Sequence, residues 1–191
     1  MSVRILVIAG STRTGALSKK LAGAAIRSVE QAGASATFVD LRDYPMPLYD
    51  GDLEAAGGLP EQAIRLRELM QQHDALLIAT PEYNSSIPAV LKNALDWLSR
   101  PHAAEPGVSP YRNKVAGLLS SSPGALGGMR GLVHLRQILQ NVGCLAISEQ
   151  FALGNAGSAF AADGSLAEAR QAEGVASVVR RLIDVTARLA A

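Results

Sequence analysis

The chain has 191 residues, of which 48% are hydrophobic and 18% charged, with a formal net charge of +1. That length suits one domain with a substantial core, and the near-neutral balance argues against the strongly basic face that nucleic-acid binding requires. No run approaches the ~20 apolar residues of a membrane span, the single cysteine (Cys144) excludes an internal disulfide, and His73, His102 and His134 are too scattered to form a metal cluster with it. A cytoplasmic protein without a signal peptide is expected, since the N-terminus leads straight into a strand that carries Arg4.

The first stretch, Val3 to Leu21, holds the densest chemistry. Ile5, Leu6, Val7 and Ile8 form a continuous apolar run, the pattern of a strand covered on both faces. Gly10-Ser11-Thr12-Arg13-Thr14-Gly15 follows as a polar loop, and a helix then opens with Leu17, Leu21, Ala25 and Val29 on one stripe. A strand feeding a helix through such a loop presents free backbone N–H groups and the positive end of a helix dipole. That is a site for an anion, most often a phosphate. The hydroxyls of Ser11, Thr12, Thr14 and Ser18 add donors, and Arg13 adds a fixed charge. The competing reading is a capped turn that stabilises the helix and binds nothing. Gly10 and Gly15 have the spacing of a nucleoside-triphosphate loop, but Ala16 and Leu17 stand where its Lys and Ser/Thr belong. Ser11 and Thr12 likewise break the GxGxxG dinucleotide pattern. What remains suits one terminal monophosphate.

Ala36 to Leu41 (ATFVDL) reads as a second strand, with Asp40 near its end as either a ribose ligand or a solvated carboxylate. Arg42 to Pro60 is a long loop, too polar and too broken by proline and glycine to hold an element. A helix over Glu61–Gln72 precedes a third buried strand, Ala75–Thr80, which runs into PEYNSS. Ile87, Val90, Leu91, Ala94, Leu95 and Leu98 then recur at helical spacing, with Ser86 as the expected N-cap and Pro88 in the first turn. Trp97 on this helix is expected to pack at a subunit contact.

Pro101 to Asn113 is a second long loop, and Lys114–Ser120 a fourth strand. Ser121 to Gly128 is a small-residue loop able to lie against a flat ligand. A helix over Arg130–Asn141 leads to a short fifth strand, Cys144–Ser148, in which Cys144 packs as an apolar residue without a basic neighbour to activate it. Gly154–Gly164 is irregular, and Leu166–Leu189 is the last helix. Alternating strands and helices imply a parallel sheet with helices on both faces. The three polar or small-residue loops all leave carboxyl ends of strands, where ligands of such folds gather.

Three stretches also resemble a known family. GSTRTGALS (Gly10–Ser18), PEYNSSIPAVLKNALDWLSRP (Pro81–Pro101) and SSPGALGGMR (Ser121–Arg130) are similar to the signature stretches of the NADPH-dependent FMN reductases, chiefly those called quinone, chromate or azo reductases. The resemblance is collinear and covers nearly the whole chain. It implies a single flavodoxin-like FMN-binding domain over residues 1–191, an α/β three-layer sandwich whose five-stranded parallel sheet runs in the order 2-1-3-4-5. It implies non-covalent FMN as cofactor and NADPH as co-substrate. The loop Ser11–Ser18 would hold the FMN phosphate, with Ser11, Arg13 and Ser18 foremost and Leu17 beside them. Pro81, Glu82, Tyr83 and Asn84 would line the isoalloxazine ring, and Ser121, Ser122 and Gly124 the far side of the crevice.

The implied reaction passes hydride from NADPH to FMN and then two electrons to a quinone, azo, flavin or metal-oxyanion acceptor in ping-pong fashion. The cofactor carries that chemistry, so no catalytic side chain is named. The partners implied are a small-molecule acceptor and further copies of the chain, as a homodimer or homotetramer. Other readings fit parts of the sequence. One is a flavodoxin-like FMN carrier or sensor without activity, against which the near-neutral charge argues; another is a Rossmann dehydrogenase using Asp40. Arg13 as a surface ion pair, Glu82 as a helix cap and Tyr83 as a core or interface aromatic are the plainer roles. Arg100 and the two long loops are a further place for NADPH phosphate.

Overall fold

The structure is a computed structural model that describes residues 2–190. Strands β1 (Arg4–Ala9), β2 (Ser35–Asp40), β3 (Ala75–Thr80), β4 (Val115–Ser121) and β5 (Leu145–Leu153) form one five-stranded sheet in the order β2-β1-β3-β4-β5. Every pairing is parallel. The helices between and after them are α1 (Leu17–Gln31), α2 (Gly51–Gly57), α3 (Glu61–Gln71), α4 (Ala89–Leu98), α5 (Met129–Asn141) and α6 (Ala169–Leu189).

The unbroken apolar runs of the central strands follow from burial on both faces. Successive side chains alternate sides: Ile5, Val7, Ala9, Leu77 and Ala79 meet Leu21, Ala25 and Val29 of α1 and Val175, Val178 and Leu182 of α6. Leu6, Ile8, Leu76 and Ile78 meet Leu66 and Met70 of α3, Leu91 and Leu95 of α4 and Leu132, Leu135 and Leu139 of α5. The sheet is thus sandwiched, and the loops after β1, β3 and β4 emerge together at its carboxyl edge. Cys144 packs in the second layer with its Sγ 3.2 Å from the Lys114 carbonyl, and burial pushes its thiol up to about 12, which leaves it protonated and inert.

Four local expectations are corrected. The stretch 42–60 does hold an element, α2, whose N-cap Asp50 accepts the Asp52 N–H at 2.8 Å. None of its residues is buried, so no apolar period marks it in the sequence. It is held from outside, by Glu54 against Arg100 at 2.9 Å. Trp97 does not serve a subunit contact. It is fully buried within the chain, donates Nε1–H to the Pro47 carbonyl at 2.8 Å and meets the Tyr49 ring edge-on at 5.1 Å. Ser86 does not cap α4. Pro88 takes that place without a side-chain bond, while the Ser86 hydroxyl lies 2.9 Å from His134 Nδ1.

The fourth correction concerns β5, which runs on to Leu153 through an irregularity that pairs Ala116 with Ala146 but Leu118 with Gln150. Arg136 of α5 donates to the Ala146 and Ile147 carbonyls there, at 3.1 and 2.6 Å, satisfying groups the ladder leaves free. The same need explains a fully buried cation, Arg67 of α3. Its guanidinium donates to the carbonyls of Leu98, Arg100, Pro106 and Gly107 and to Ser109 Oγ, at 2.6 to 3.1 Å, and so organises the loop 101–113.

Candidate functional site

The loop after β1 is shaped by close approach to β3. Gly10 N–H donates to the Ala79 carbonyl at 2.8 Å, and a Cβ on Gly10 would lie 2.7 Å from Thr80 Oγ1. Only glycine fits that exit. The chain then turns at Gly15 (φ +67°) into α1. The N-cap is Ala16, with no side-chain hydrogen bond and no acidic residue in the first turn. The reading of this loop as a mere capped turn therefore lacks its cap. The helix start keeps unpaired N–H groups and an uncompensated dipole. Ser18 Oγ is buried with no partner, and Ser11, 3% exposed, accepts the Arg13 N–H at 3.3 Å. Among the described residues Arg13 forms no ion pair.

The loop after β3 makes a tight reversal in which Tyr83 N–H and Ser86 N–H each donate to the other's carbonyl, at 2.9 and 3.1 Å. Asn84 and Ser85 occupy its tip with positive φ (51° and 65°), a conformation asparagine tolerates well. Glu82 is a strut. Its carboxylate, 7% exposed, accepts Arg130 Nε–H at 2.8 Å and the Gly131 N–H of α5 at 3.1 Å. Burial pushes its pKa up, but the Arg130 and Gly131 hydrogen bonds outweigh burial and hold the carboxyl below the usual glutamate value. The plainer reading of Glu82 as a helix cap therefore fits, on α5 rather than on the helix that follows it.

The loop after β4 lies backbone against backbone on the end of β5. Ser122 N–H donates to the Leu153 carbonyl (3.1 Å), Asn155 N–H to that of Gly124 (3.2 Å) and Ala156 N–H to that of Ser122 (3.0 Å). A Cβ on Gly154 would stand 2.4 Å from the Ala125 carbonyl oxygen, so glycine is what lets the two strands of chain meet. Ser121 Oγ, like Ser18 Oγ, is buried and unpartnered.

These pieces meet in one cleft. Ser11, Arg13, Leu17, Ser18, Pro81, Glu82, Tyr83, Ser121 and Ser122 all line it, with Ala16 and Pro123, around a volume of about 200 Å³. Asn84 stands at the reversal's tip and Gly124 in the packed loop, next to the lining without belonging to it. Glu82 is neutralised by Arg130, which leaves Arg13 and the α1 dipole as the charges bearing on the cleft. The volume lies below the roughly 300–1,000 Å³ of pockets that enclose a ligand. Tyr83 in the lining is 51% exposed, and Leu126 of the loop after β4 and Met129 at the start of α5 are exposed apolar side chains at 52% and 46%.

Residues 3–158 match the model of the family described as NADPH-dependent FMN reductase. The chain belongs to that family. It is 37% identical over 172 residues to the NAD(P)H-dependent FMN reductase PA1204 of Pseudomonas aeruginosa, covering 90% of this chain and 88% of that protein. It is 35% identical over 164 residues to a quinone reductase of Pseudomonas putida, covering 85% and 83%. Among solved structures, the flavoenzyme NAD(P)H:(acceptor) oxidoreductase FerB from Paracoccus denitrificans superposes with a TM-score of 0.84 at 30% identity, over 97% of this chain and 98% of that one. The fold is thus flavodoxin-like, as the five-strand order already shows.

Two further expectations change against this family's cleft. Asp40 is not free for a ribose. It takes Lys19 Nζ at 2.5 Å and caps the turn at Leu41–Asp43 by accepting the Arg42 N–H at 3.0 Å. Arg100 is not a free cation either; Glu54 and the face of the Tyr49 ring occupy it, at the end of α4 remote from the loop that leads in from β3. Sequence reasoning missed Arg130, Gly131, Gly154 and Asn155 as supports of the cleft. Gly131 sits where a Cβ would press to 3.3 Å from the Ser86 carbonyl oxygen, and only the glycine-rich run Gly124–Gly131 hinted at such contacts.

Proposed function

We propose that the chain holds FMN non-covalently in this cleft and acts as an NADPH-dependent reductase. It takes hydride from NADPH and passes two electrons to a quinone, azo, flavin or metal-oxyanion acceptor in separate half-reactions. The observation that carries the reading is the pair of buried hydroxyls without partners, Ser18 Oγ and Ser121 Oγ, on two walls of one cleft that opens at an uncapped helix start. Buried polar atoms are rarely left unpaired, and both belong to residues that line the cleft. When bound, FMN supplies the hydride and electron chemistry.

The residues supply grip and orientation. Ser11, Ser18, Arg13 and the first N–H groups of α1 hold the phosphate, with Leu17 packed beside them. Pro81, Glu82, Tyr83 and Asn84 line one side of the ring, with Glu82 fixing the loop rather than offering its carboxylate. Ser121, Ser122 and Gly124 form the other side. The cleft is too small to enclose the whole cofactor, and the exposed apolar side chains of Tyr83 in its lining and of Leu126 and Met129 beyond it suit cover by a second copy, in a homodimer or homotetramer. A cytoplasmic setting accords with one buried, unreactive thiol, and no described helix is long and apolar enough to cross a membrane.

The purified protein is expected to be yellow, to bleach with NADPH and to regain colour on adding quinone. Arg13→Ala is expected to weaken FMN about tenfold, the lower range for a charge-assisted hydrogen bond, with an unchanged circular dichroism spectrum. Failure to take up FMN at micromolar levels overturns the reading. FMN uptake without NADPH oxidation favours a carrier.

A further inference from the structure

We propose that Arg42 is a positioning residue for the loop after β1, holding the Thr12–Arg13 peptide with its N–H turned into the cleft; this rests on the reading of that loop as a phosphate site. Arg42 lies just past β2, outside the three loops that line the cleft. Its Nε–H donates to the Thr12 carbonyl at 2.9 Å, and a second donor, Nη2, points at the same oxygen. Its own backbone N–H donates to Asp40 Oδ1 at 3.0 Å, and Asp40 Oδ2 accepts from Lys19 Nζ at 2.5 Å. Lys19 belongs to the first turn of α1. The end of β2 therefore grips the loop on both sides, at Thr12 before the turn and at Lys19 after it.

The consequence follows from one peptide unit. In a trans peptide the C=O and the N–H point in opposite directions. With the Thr12 carbonyl drawn out to Arg42, the Arg13 N–H must point the other way, and it does: it meets the Oγ of Ser11, a cleft-lining residue, at 3.3 Å. That is a long bond, readily exchanged for an anion oxygen. Without Arg42 the Thr12 carbonyl loses both donors. The peptide is then free to rotate and present a carbonyl oxygen, which repels phosphate, in place of an N–H. Asp40 brings a negative charge close by, but Lys19 pairs with it and the Arg42 backbone N–H donates to it, while the Arg42 guanidinium stays on the Thr12 carbonyl.

The test compares FMN with riboflavin, which lacks only the phosphate. Both are titrated into the unmodified protein, Arg42→Ala and Arg42→Lys. The expected result is a roughly tenfold loss of FMN affinity in Arg42→Ala, in line with one hydrogen bond to a charged group, with riboflavin affinity unchanged. Arg42→Lys, which can still donate to one carbonyl, recovers most of the preference. An equal loss for both flavins would mean a general structural role and overturns the proposal, as does an unchanged preference. If the unmodified protein itself binds FMN no better than riboflavin, the phosphate reading fails first and the proposal with it. That failure is visible before any variant is made.

Discussion

Gly154→Ala isolates how tightly the third loop must seat. The backbone at Gly154 lies outside the left-handed region, so alanine is admissible there on conformational grounds and only space opposes it. The added Cβ would lie 2.4 Å from the Ala125 carbonyl oxygen and 3.0 Å from its carbon, where ordinary contact begins near 3.4 Å. Relief therefore needs the two segments to part by about 1 Å, the scale of an overpacked site. Such a shift stretches the bonds from Ser122 N–H, Asn155 N–H and Ala156 N–H, now 3.1, 3.2 and 3.0 Å, beyond useful length.

At about 1 kcal/mol each the loss is about 2–3 kcal/mol. For a chain of this length that lowers the melting temperature by about 4–12 °C. FMN affinity should fall with it, since the moved loop carries Ser122, next to Ser121 of β4, into the cleft wall. Calorimetry and flavin titration read both effects. Gly157→Ala is the control: its Cβ meets nothing within 4 Å, and it should melt with the wild type. If Gly154→Ala also melted with the wild type and bound FMN equally, the wedge argument would be wrong.

Two other predictions test the supports. Glu82 has its folded pKa held below the ordinary 4.5, so its contribution is fully present above that value and is lost as pH falls through the lower, folded one. Glu82→Gln should thus be less stable than wild type in urea at pH 7, with the gap narrowing below pH ~4.5; a gap constant with pH would show that Glu82 carries no charge-dependent strut. Arg67→Ala leaves at least four buried or half-buried carbonyls without a donor and should cost about 3–5 kcal/mol. Arg67→Lys should recover only part of that, because an ammonium has three donors and no planar fork. Full recovery in the urea midpoint would contradict the network argument.

The residues themselves declared much of this. The unbroken apolar runs of β1 and β3 and the helical spacing in α4 are short-range patterns, and they are visible without coordinates. The first strand–loop–helix unit was legible for the same reason: its three parts follow one another within Val3–Leu21, so a polar loop and its scaffold lie side by side. Glu82 was not. Its partners Arg130 and Gly131 come 48 and 49 residues later, and nothing local distinguishes a carboxylate facing a cofactor from one bracing a helix. Trp97 misled for a related reason, since its cover comes from Tyr49 and Pro47, in a segment without periodicity.

From amino-acid order alone came the alternating α/β plan, the parallel sheet and the gathering of three loops at its carboxyl edge, because each is dictated by contacts between near neighbours and by the handedness of crossovers. Tertiary structure alone decided which polar groups stay unpaired. Ser18 Oγ and Ser121 Oγ stay buried without partners and Arg13 forms no ion pair among the described residues, while Asp40, Glu82 and Arg100 are consumed by distant partners. Satisfaction of a buried polar group depends on whatever the fold brings within about 3 Å of it, and sequence distance says nothing of that.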